Sequence, residues 1–232
     1  MKNEINRDFV VKKTKNVFIT TMVLIAISMI TSCENDTNSP NHPKQNPNAV
    51  AVDLGLSVKW ANCNVGATKP EEYGDYFAWG ETTLKEEYEW STYFDTKNEG
   101  LTFIKYKAKG VHTLEPKDDV AHVNWGGAWR MPTKTEQDEL RNNCTWTWTT
   151  QNGVNGYLVK SKKNSNSIFL PAAGIRVGTL LSNDGLDGRY WSSSLNLEDR
   201  SNSAYCIYFN VNNVMYGGLS RYYGRSVRPV CK

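Results

Sequence analysis

The stretch Trp125–Leu140 reads W-G-G-A-W-R-M-P-T-K-T-E-Q-D-E-L and predicts the best-defined helix of the chain. Pro132 disfavours helical backbone in the residue before it. Thr133 lies three residues ahead of Glu136, which is the spacing of a capping box. In such a box the threonine hydroxyl accepts a bond from a free amide of the first turn, and the glutamate accepts one from the cap residue. The sequence therefore predicts a short helix from Lys134 to about Asn142.

The residues around this helix predict how it packs. Gly126 and Gly127 allow backbone angles that are closed to other residues, which indicates a tight turn before the helix. Trp129, Met131 and Leu140 are the predicted inner contacts. These local signals alone are typical of a capped surface helix with one buried side.

The remainder of the folded part predicts an α+β domain: an antiparallel sheet with one or two short helices and long loops. The predicted strands are Val52–Ala61, Tyr73–Trp79, Thr145–Thr149, Tyr157–Ser161, Ile168–Leu170, Tyr190–Ser194, Ala204–Val211, Val214–Tyr216 and Ser226–Cys231. Predicted turns lie at Asn152-Gly153, Asn155-Gly156 and Asn212-Asn213, because these residues favour positive φ or hairpin loops. The polar section 82–123 is interpreted as an insertion of loops with one short strand.

Several segments resemble the Fibrobacter succinogenes major paralogous domain family, which is abundant in Bacteroidetes lipoproteins and has a C-type-lectin-like fold distantly similar to formylglycine-generating enzymes. They are W-R-M-P-T-x-x-E-x-x-x-L from Trp129, L-G-L-S-V-K-W-A-N-C-N-V-G-A from Leu54, G-D-Y-F-A-W-G-E from Gly74, C-T-W-T-W-T from Cys144, F-L-P-A-A-G from Phe169, Y-W-S-S-S from Tyr190 and the terminal G-R-S-V-R-P-V-C. The resemblance implies the fold across residues 52–231, but not an activity, since one scaffold hosts many functions.

The amino terminus predicts a lipoprotein signal peptide over residues 1–32. A basic start precedes the apolar run Val17–Ile30, which is too short for a typical membrane crossing. The run ends in Ile30-Thr31-Ser32-Cys33, which resembles a lipobox. Cys33 is therefore the expected lipidation site (palmitate) and would hold the protein on the outer membrane. Glu34-Asn35-Asp36 favours cell-surface display over periplasmic retention.

The next segment, residues 33–49, is predicted to be a flexible tether, and residues 50–232 the folded domain. The tether is rich in asparagine and proline and has no apolar periodicity. Beyond residue 32 the chain carries 22 basic and 22 acidic residues. This balance argues against a nucleic-acid partner, because phosphate binding depends on an excess of lysine and arginine.

Four cysteines besides Cys33 lie in the predicted domain: Cys63, Cys144, Cys206 and Cys231. An even number in an exported domain predicts two disulfides with three connectivities. The favoured pairing is Cys63–Cys144 with Cys206–Cys231, because the second pair would face each other on neighbouring carboxyl-terminal strands. Free thiols are the open alternative. The C-x-x-C spacing of zinc sites is absent.

Metal and cofactor sites are not expected. Asp118-Asp119 with His122 could bind a metal but are typical turn or cap residues. Asp184-Gly185 and Asp187-Gly188 lack the spacing and closing glutamate of a calcium loop, so they are interpreted as turns. The E-P-N, Q-P-D and W-N-D motifs of calcium lectins are absent as well.

The expected function is recognition of a protein or glycan ligand. In C-type-lectin-like folds ligands bind near the terminal strands, which here correspond to 188–225. This region is rich in tyrosine, asparagine, serine and arginine, residues typical of adaptable binding surfaces. The candidate ligand-binding residues are Arg189, Asn196, Asn202, Tyr216, Arg221 and Tyr222. An ordinary polar loop surface remains the structural alternative.

Two other functions stay open. One is a structural or assembly subunit of an envelope or pilus-tip complex. The other is a formylglycine-generating-type oxidase, for which Cys206 and Cys231 would be the copper-binding pair, although their surroundings do not match that family's motif. No nucleophile–base grouping includes His112 or His122. The sequence therefore predicts no catalytic residues.

Overall fold

The computed structural model describes residues 46, 48–98, 102–198 and 202–232. The predicted signal peptide and Cys33 lie outside the described residues. The strands and helices, in chain order, are β1 (Ala51–Val52), β2 (Lys59–Ala61), β3 (Thr96–Lys97), β4 (Thr102–Phe103), α1 (Val120–Trp125), α2 (Lys134–Asn143), β5 (Cys144–Gln151), β6 (Val154–Ser161), β7 (Ser167–Pro171), β8 (Ile175–Val177), β9 (Leu180–Ser182), β10 (Asp187–Leu195), β11 (Ser203–Asn210), β12 (Asn213–Ser220) and β13 (Val230–Cys231).

The strands form small antiparallel sheets, so the fold is strand-rich with few helices. Three sheets have three strands each, in the orders β1-β2-β13, β5-β6-β7 and β10-β11-β12. Two further pairs are β3-β4 and β8-β9. No helix within the described ranges is long and apolar enough to cross a membrane.

The hydrophobic core has two main parts on either side of β10 and β11. The first cluster includes Trp79, Trp129 and Trp191. The second cluster includes Tyr190 and Phe209 and lies against β5, β6 and β7. Because successive residues of a strand point to opposite faces, adjacent Tyr190 and Trp191 contribute to different clusters. The β10-β11-β12 sheet thus lies inside the molecule over much of its length.

Hydrogen bonds from two tryptophan side chains link residues 77–79 to β10. The indole nitrogen of Trp79 donates to the Ser192 carbonyl at 2.8 Å, and that of Trp191 donates to the Phe77 carbonyl at 2.8 Å. The predicted strand Tyr73–Trp79 is therefore buried and extended in part, but its only ladder contact within the described chain is a single bridge from Phe77 to Arg225.

The predicted helix is confirmed as α2, and so is its capping box. The Thr133 hydroxyl accepts from the Glu136 amide at 3.2 Å, and the Glu136 carboxylate accepts from the Thr133 amide at 2.7 Å. Arg130 Nη1 donates to the same carboxylate at 2.8 Å. The inner contacts Trp129, Met131 and Leu140 are buried as predicted.

The capping box makes stability depend on pH. Burial acts to raise the pKa of Glu136, but the Arg130 and Thr133 hydrogen bonds outweigh it and hold the pKa below its ordinary value. A lowered folded-state pKa stabilises the fold above the ordinary pKa of glutamate, and this stabilisation is lost as pH falls through the folded-state pKa. We expect Glu136→Gln to lower the unfolding free energy by about 1 kcal/mol at pH 7, and by less below pH 4. Urea unfolding at both pH values measures this, with exposed Glu87→Gln as the control.

The hairpin strands after α2 are confirmed, although their predicted bounds were short. β5 alternates as expected, with Trp146 and Trp148 partly buried. Asn152 and Gly153 have φ of 48° and 83° and form the predicted turn into β6. The Asn155-Gly156 turn is wrong: both residues lie in β6, because β7 passes so close that a side chain at Gly156 would clash with the Leu170 carbonyl.

Other boundaries also differ from prediction. Val52–Ala61 forms the two short strands β1 and β2, since Asp53 accepts a bond from the Gly55 amide at 2.6 Å and Gly55 has φ of 66°. The β11–β12 turn lies at residues 211–212, one residue earlier than predicted. Asn46, within the predicted tether, donates to the Ala67 carbonyl at 3.1 Å.

The insertion 82–123 contains more ordered structure than expected, including β3, β4 and the start of α1. Asp119 caps α1 by accepting from the Ala121 and His122 amides at 3.0 and 3.1 Å. Its carboxylate also accepts from the Met131 amide at 2.8 Å. The Asp119 carboxylate therefore links the insertion to the segment before α2 by hydrogen bonds.

The predicted disulfide pairing is wrong. Cys63, Cys144 and Cys206 are free and buried. Cys63 belongs to the first cluster and Cys144 to the second. Cys206 lies on β11, whereas Cys231 lies on β13 in another sheet, so they are not on neighbouring strands.

The three free thiols should be unreactive in the native protein. Burial raises the pKa of Cys63 and Cys206, and raises that of Cys144 to about 11. Since the thiolate is the nucleophile, we expect iodoacetamide at pH 8 to label none of the three in the native protein. All three should be labelled in urea without reductant. Peptide mass spectrometry measures this, and a cysteine that needs reductant first would contradict the assignment.

Candidate ligand-binding cleft

The structure separates the six residues predicted to bind a ligand. Arg221 has no exposed surface. Its Nη1 donates to Asp95 at 3.1 Å and its guanidinium lies 3.9 Å from the centre of the Phe103 ring. Arg221 therefore joins the end of β12 to the insertion, and its side chain is not available to a ligand in this conformation.

Asn196 follows the end of β10, and Asn202 precedes the start of β11. Asn196 is buried, and its Nδ2 donates to the Ser203 hydroxyl at 3.1 Å. The carbonyl of partly exposed Asn202 accepts from the Arg221 amide at 3.2 Å. Asn196 therefore has a structural role, whereas the side chain of Asn202 remains partly accessible.

Arg189 and Tyr216 lie on opposite faces of the β10-β11-β12 sheet. Arg189 is in register with Tyr208, and the Arg189 guanidinium lies 5.1 Å from the Tyr208 ring and 2.9 Å from an Asp187 oxygen. Tyr216 is in register with Ile207 and lies against α2, with Arg141 4.7 Å from its ring. The two residues cannot contact one small ligand together.

Tyr222 belongs to an aromatic cluster formed with Tyr76, Tyr88, Tyr93 and Trp90. Its ring lies 4.7 Å from that of Trp90. Among the six predicted residues, Tyr222 is thus the one whose cluster partners, Tyr76 and Tyr88, line the cleft described below.

The cleft is an open depression of about 470 Å³ between the segment 74–88 and the β8–β9 hairpin. Its lining residues are Gly74, Asp75, Tyr76, Leu84, Lys85, Glu86, Tyr88, Arg176 and Thr179. The carboxyl-terminal segment supports it from behind, because a side chain at Gly224 would meet Tyr88 at 2.6 Å and Arg176 at 2.9 Å. We call this surface the Tyr76–Tyr88 cleft.

The two tyrosines form a fixed wall of the cleft. The Tyr76 hydroxyl donates to the Ala173 carbonyl at 2.5 Å, and the Tyr88 hydroxyl donates to the Tyr76 carbonyl at 2.6 Å. Burial raises the pKa of Tyr88 to about 12. Both hydroxyls therefore stay protonated and bonded to the backbone, so neither is free to bond a ligand.

Within the described residues, two partly buried charged side chains at the cleft lack partners, and so does the exposed Glu86. Neither the Asp75 carboxylate nor the Arg176 guanidinium makes an ion pair or side-chain hydrogen bond within the described part of the chain, although Arg176 lies 5.4 Å from the Tyr76 ring. Lys85, by contrast, pairs with Glu81 at 2.8 Å. Partly buried charges without partners cost free energy, so these two groups are suited to interact with something bound in the cleft.

The Asp75 carboxylate should reduce stability at neutral pH. Burial raises its pKa above the ordinary value, and a raised folded-state pKa of an acid means that stability is lost as pH rises through the unfolded-state pKa. We therefore expect Asp75→Asn to stabilise the protein at pH 7 and to change little at pH 3. Urea unfolding at both pH values, with exposed Asp184→Asn as the control, measures this. Destabilisation at pH 7 would show that the carboxylate has a structural partner.

The cleft does not have the composition of a metal site. The described residues contain no group of three or more histidine, cysteine, aspartate or glutamate side chains that could hold a metal ion. Asp119 is an N-cap, as the alternative interpretation of that motif predicts. The expectation that the chain is not an enzyme stays a prediction.

Comparisons with protein-family models, with curated proteins and with solved structures found no match to this chain. The site is therefore described by its geometry: an open cleft with a tyrosine wall and two partly buried charges that have no partner in the described part of the chain.

Sequence reasoning missed this cleft because its halves are about a hundred residues apart. Asp75 follows Gly74, whose φ of 69° bends the chain, and Arg176 lies in a three-residue strand with no motif. A local signal exists only in the Gly-Asp-Tyr order at 74–76. The absence of charge partners becomes visible only in three dimensions.

Proposed function

We propose that this protein is a lipid-anchored binding module of the cell envelope that recognises a protein or glycan ligand. The proposal includes a C-type-lectin-like fold, a signal peptide over residues 1–32, lipidation at Cys33 and display on the outer membrane. The lipobox-like sequence before Cys33 and the family-like motifs support these parts. The anchor would leave the folded domain free to meet ligands outside the membrane.

The observation that carries the binding role is the Tyr76–Tyr88 cleft. Its volume of about 470 Å³ lies in the range of small-ligand sites, which combine apolar walls with a few polar groups. Leu84, which is 60% exposed, adds an apolar contact at the rim. Arg176 supplies a donor of fixed charge, and Asp75 places a carboxylate at the border between this cleft and the depression beside Gly66. A sugar unit or a short polar peptide turn matches this combination.

The ligand should bind without calcium, because the cleft has only the two carboxylates of Asp75 and Glu86, and the described residues contain no group of three or more side chains that could hold a metal ion. The test applies the full chain, purified in detergent, to a glycan array and to intact cells, each with calcium and with chelator. We expect specific retention of a sugar or protein in both conditions. Retention that disappears with chelator would overturn the calcium-independent site.

The assembly alternative predicts a different result. A structural subunit should be recovered from envelopes in a stoichiometric complex, and the purified full chain should retain neither glycans nor cells. A purified monomer that retains a ligand supports the binding module. If the purified chain retained neither a glycan nor cells, the binding-module proposal would be contradicted.

A further inference from the structure

Within the described residues, one edge of the β10-β11-β12 sheet pairs with no further strand. β12 pairs with β11 along all eight residues, and it occupies the end of the strand order. Its sequence N-V-M-Y-G-G-L-S has no charged residue and no proline. Edge strands normally carry such residues, which block pairing with another chain. β12 lacks this protection.

The register identifies the free backbone groups of this edge. Asn210 and Asn213 flank a two-residue turn and form a hydrogen-bonded pair. Because such pairs alternate with non-hydrogen-bonded ones in an antiparallel ladder, the amides and carbonyls of Val214, Tyr216 and Gly218 point away from β11. These three residues are partly exposed, and their backbone has no partner beyond β11 in the described ranges.

The side chains beside the edge make its surroundings positive. Arg141 of α2 lies 4.7 Å from the Tyr216 ring, and Lys134 lies 5.4 Å from it. Lys134 pairs with Asp138 at 2.7 Å, whereas Arg141 has no ion pair within the described residues. The uncompensated charge next to the open edge is therefore that of Arg141.

We propose that the edge of β12 is a docking surface for an extended, acidic peptide segment of a partner protein. The segment would add a strand through Val214, Tyr216 and Gly218, and an acidic side chain on the α2 face would meet Arg141. Backbone bonds give affinity in such strand addition, and alternate side chains give specificity.

A second copy of this chain fits the edge less well. Antiparallel pairing of β12 with itself would place two-fold related helices α2 on the same face of the joined sheet. The Arg141 side chains of both copies would then lie on that face, and like charges across an interface oppose association. An acidic segment neutralises the same charge.

The test uses capped ten-residue peptides that alternate glutamate with valine or threonine, and matched peptides with lysine in place of glutamate. Fluorescence anisotropy with the full chain in detergent measures their affinity. We expect the glutamate peptides to bind and the lysine peptides not to bind. Equal binding of the two sets, or no binding at millimolar peptide, would overturn the proposal.

Two variants separate the backbone and charge contributions. Val214→Pro removes an outward amide without removing a bond to β11, and should weaken binding of the glutamate peptide about tenfold, whereas Val214→Thr should leave it unchanged. Arg141→Glu should reverse the preference, so that the lysine peptide binds better. Retention of the glutamate preference in Arg141→Glu would refute the role of that charge.

Hydrogen exchange tests the edge even where a variant fails to fold. In the free protein we expect fast amide exchange at Val214, Tyr216 and Gly218 and slow exchange at the residues between them. The glutamate peptide should slow the three outward amides. Protection of those amides in the free monomer would show that the edge is already covered and would overturn the proposal.

Discussion

Replacing Arg228 by methionine should destabilise the protein by about 3–5 kcal/mol, because it leaves buried acceptors without a donor. Arg228 is 1% exposed. Its Nε donates to Asn64 Oδ1 at 2.8 Å, its Nη1 to the Ala61 carbonyl at 3.1 Å, and its Nη2 to the Phe169 carbonyl at 2.9 Å. Arg228 thereby connects the carboxyl-terminal segment to two other parts of the chain. One is the end of β2 with the residues that follow it, and the other is β7.

The measurement is urea unfolding of the wild type and of Arg228→Met. Arg141→Met is the matched control, since Arg141 is partly exposed and makes no ion pair in the described chain. The control should cost less than about 1 kcal/mol. A similarly small cost for Arg228→Met would contradict the role of this side chain as an internal connector.

Replacing Trp191 by alanine should cost a similar amount, about 3–5 kcal/mol, which is typical of a buried tryptophan. The Trp191 side chain has no exposed surface, donates to the Phe77 carbonyl, and lies 3.9 Å beneath the guanidinium of Arg225. The change therefore removes apolar contacts, a hydrogen bond to Phe77 and a partner of a buried cation at once.

Partly exposed Trp148 on β5 provides the control, because it is a tryptophan of the same size that packs against Tyr157 at 5.2 Å. Trp148→Ala should cost about half as much or less. Thermal and urea unfolding of both variants measure the difference. Equal losses would mean that the β10 tryptophan is not the central contact that the structure shows.

The sequence allowed the local elements to be predicted because their causes are local. The capping box of Thr133 and Glu136 defines α2 whatever surrounds it, and the Asn152-Gly153 turn specifies the β5–β6 hairpin. The alternation of threonine and tryptophan in β5 indicated its half-buried face. These signals depend on neighbours a few residues apart, which the sequence displays directly.

The burial of the terminal arginines could not be predicted in this way. Arginine is rarely fully buried, and the polar composition of 188–225 predicts that Arg221 contacts a ligand. Its burial depends on Asp95 and Phe103, more than a hundred residues earlier. Likewise, the registers of β10 with β11 and of β11 with β12 decide that Arg189 and Tyr216 lie on opposite faces, although both belong to the same polar region.

The candidate site was predicted only in part. Tyr222 was predicted and lies in the aromatic cluster beside the cleft, whereas Asp75 and Arg176 were missed. An unpaired charge is a property of its surroundings, and the sequence does not show which carboxylates or cations are near. The predicted region 188–225 therefore packs behind the cleft, through Tyr222 and Gly224, and does not contain Asp75 or Arg176.

The most direct test of the central claim repeats the glycan-array and cell-capture experiments with variants of the cleft. Asp75→Asn and Arg176→Gln remove its two partly buried unpaired charges, and Lys160→Gln removes an exposed cation on β6 as the control. We predict that both cleft variants lose the ligand retained by the wild type, while Lys160→Gln keeps it. Undiminished retention by Asp75→Asn and Arg176→Gln would contradict the assignment of the Tyr76–Tyr88 cleft as the binding site.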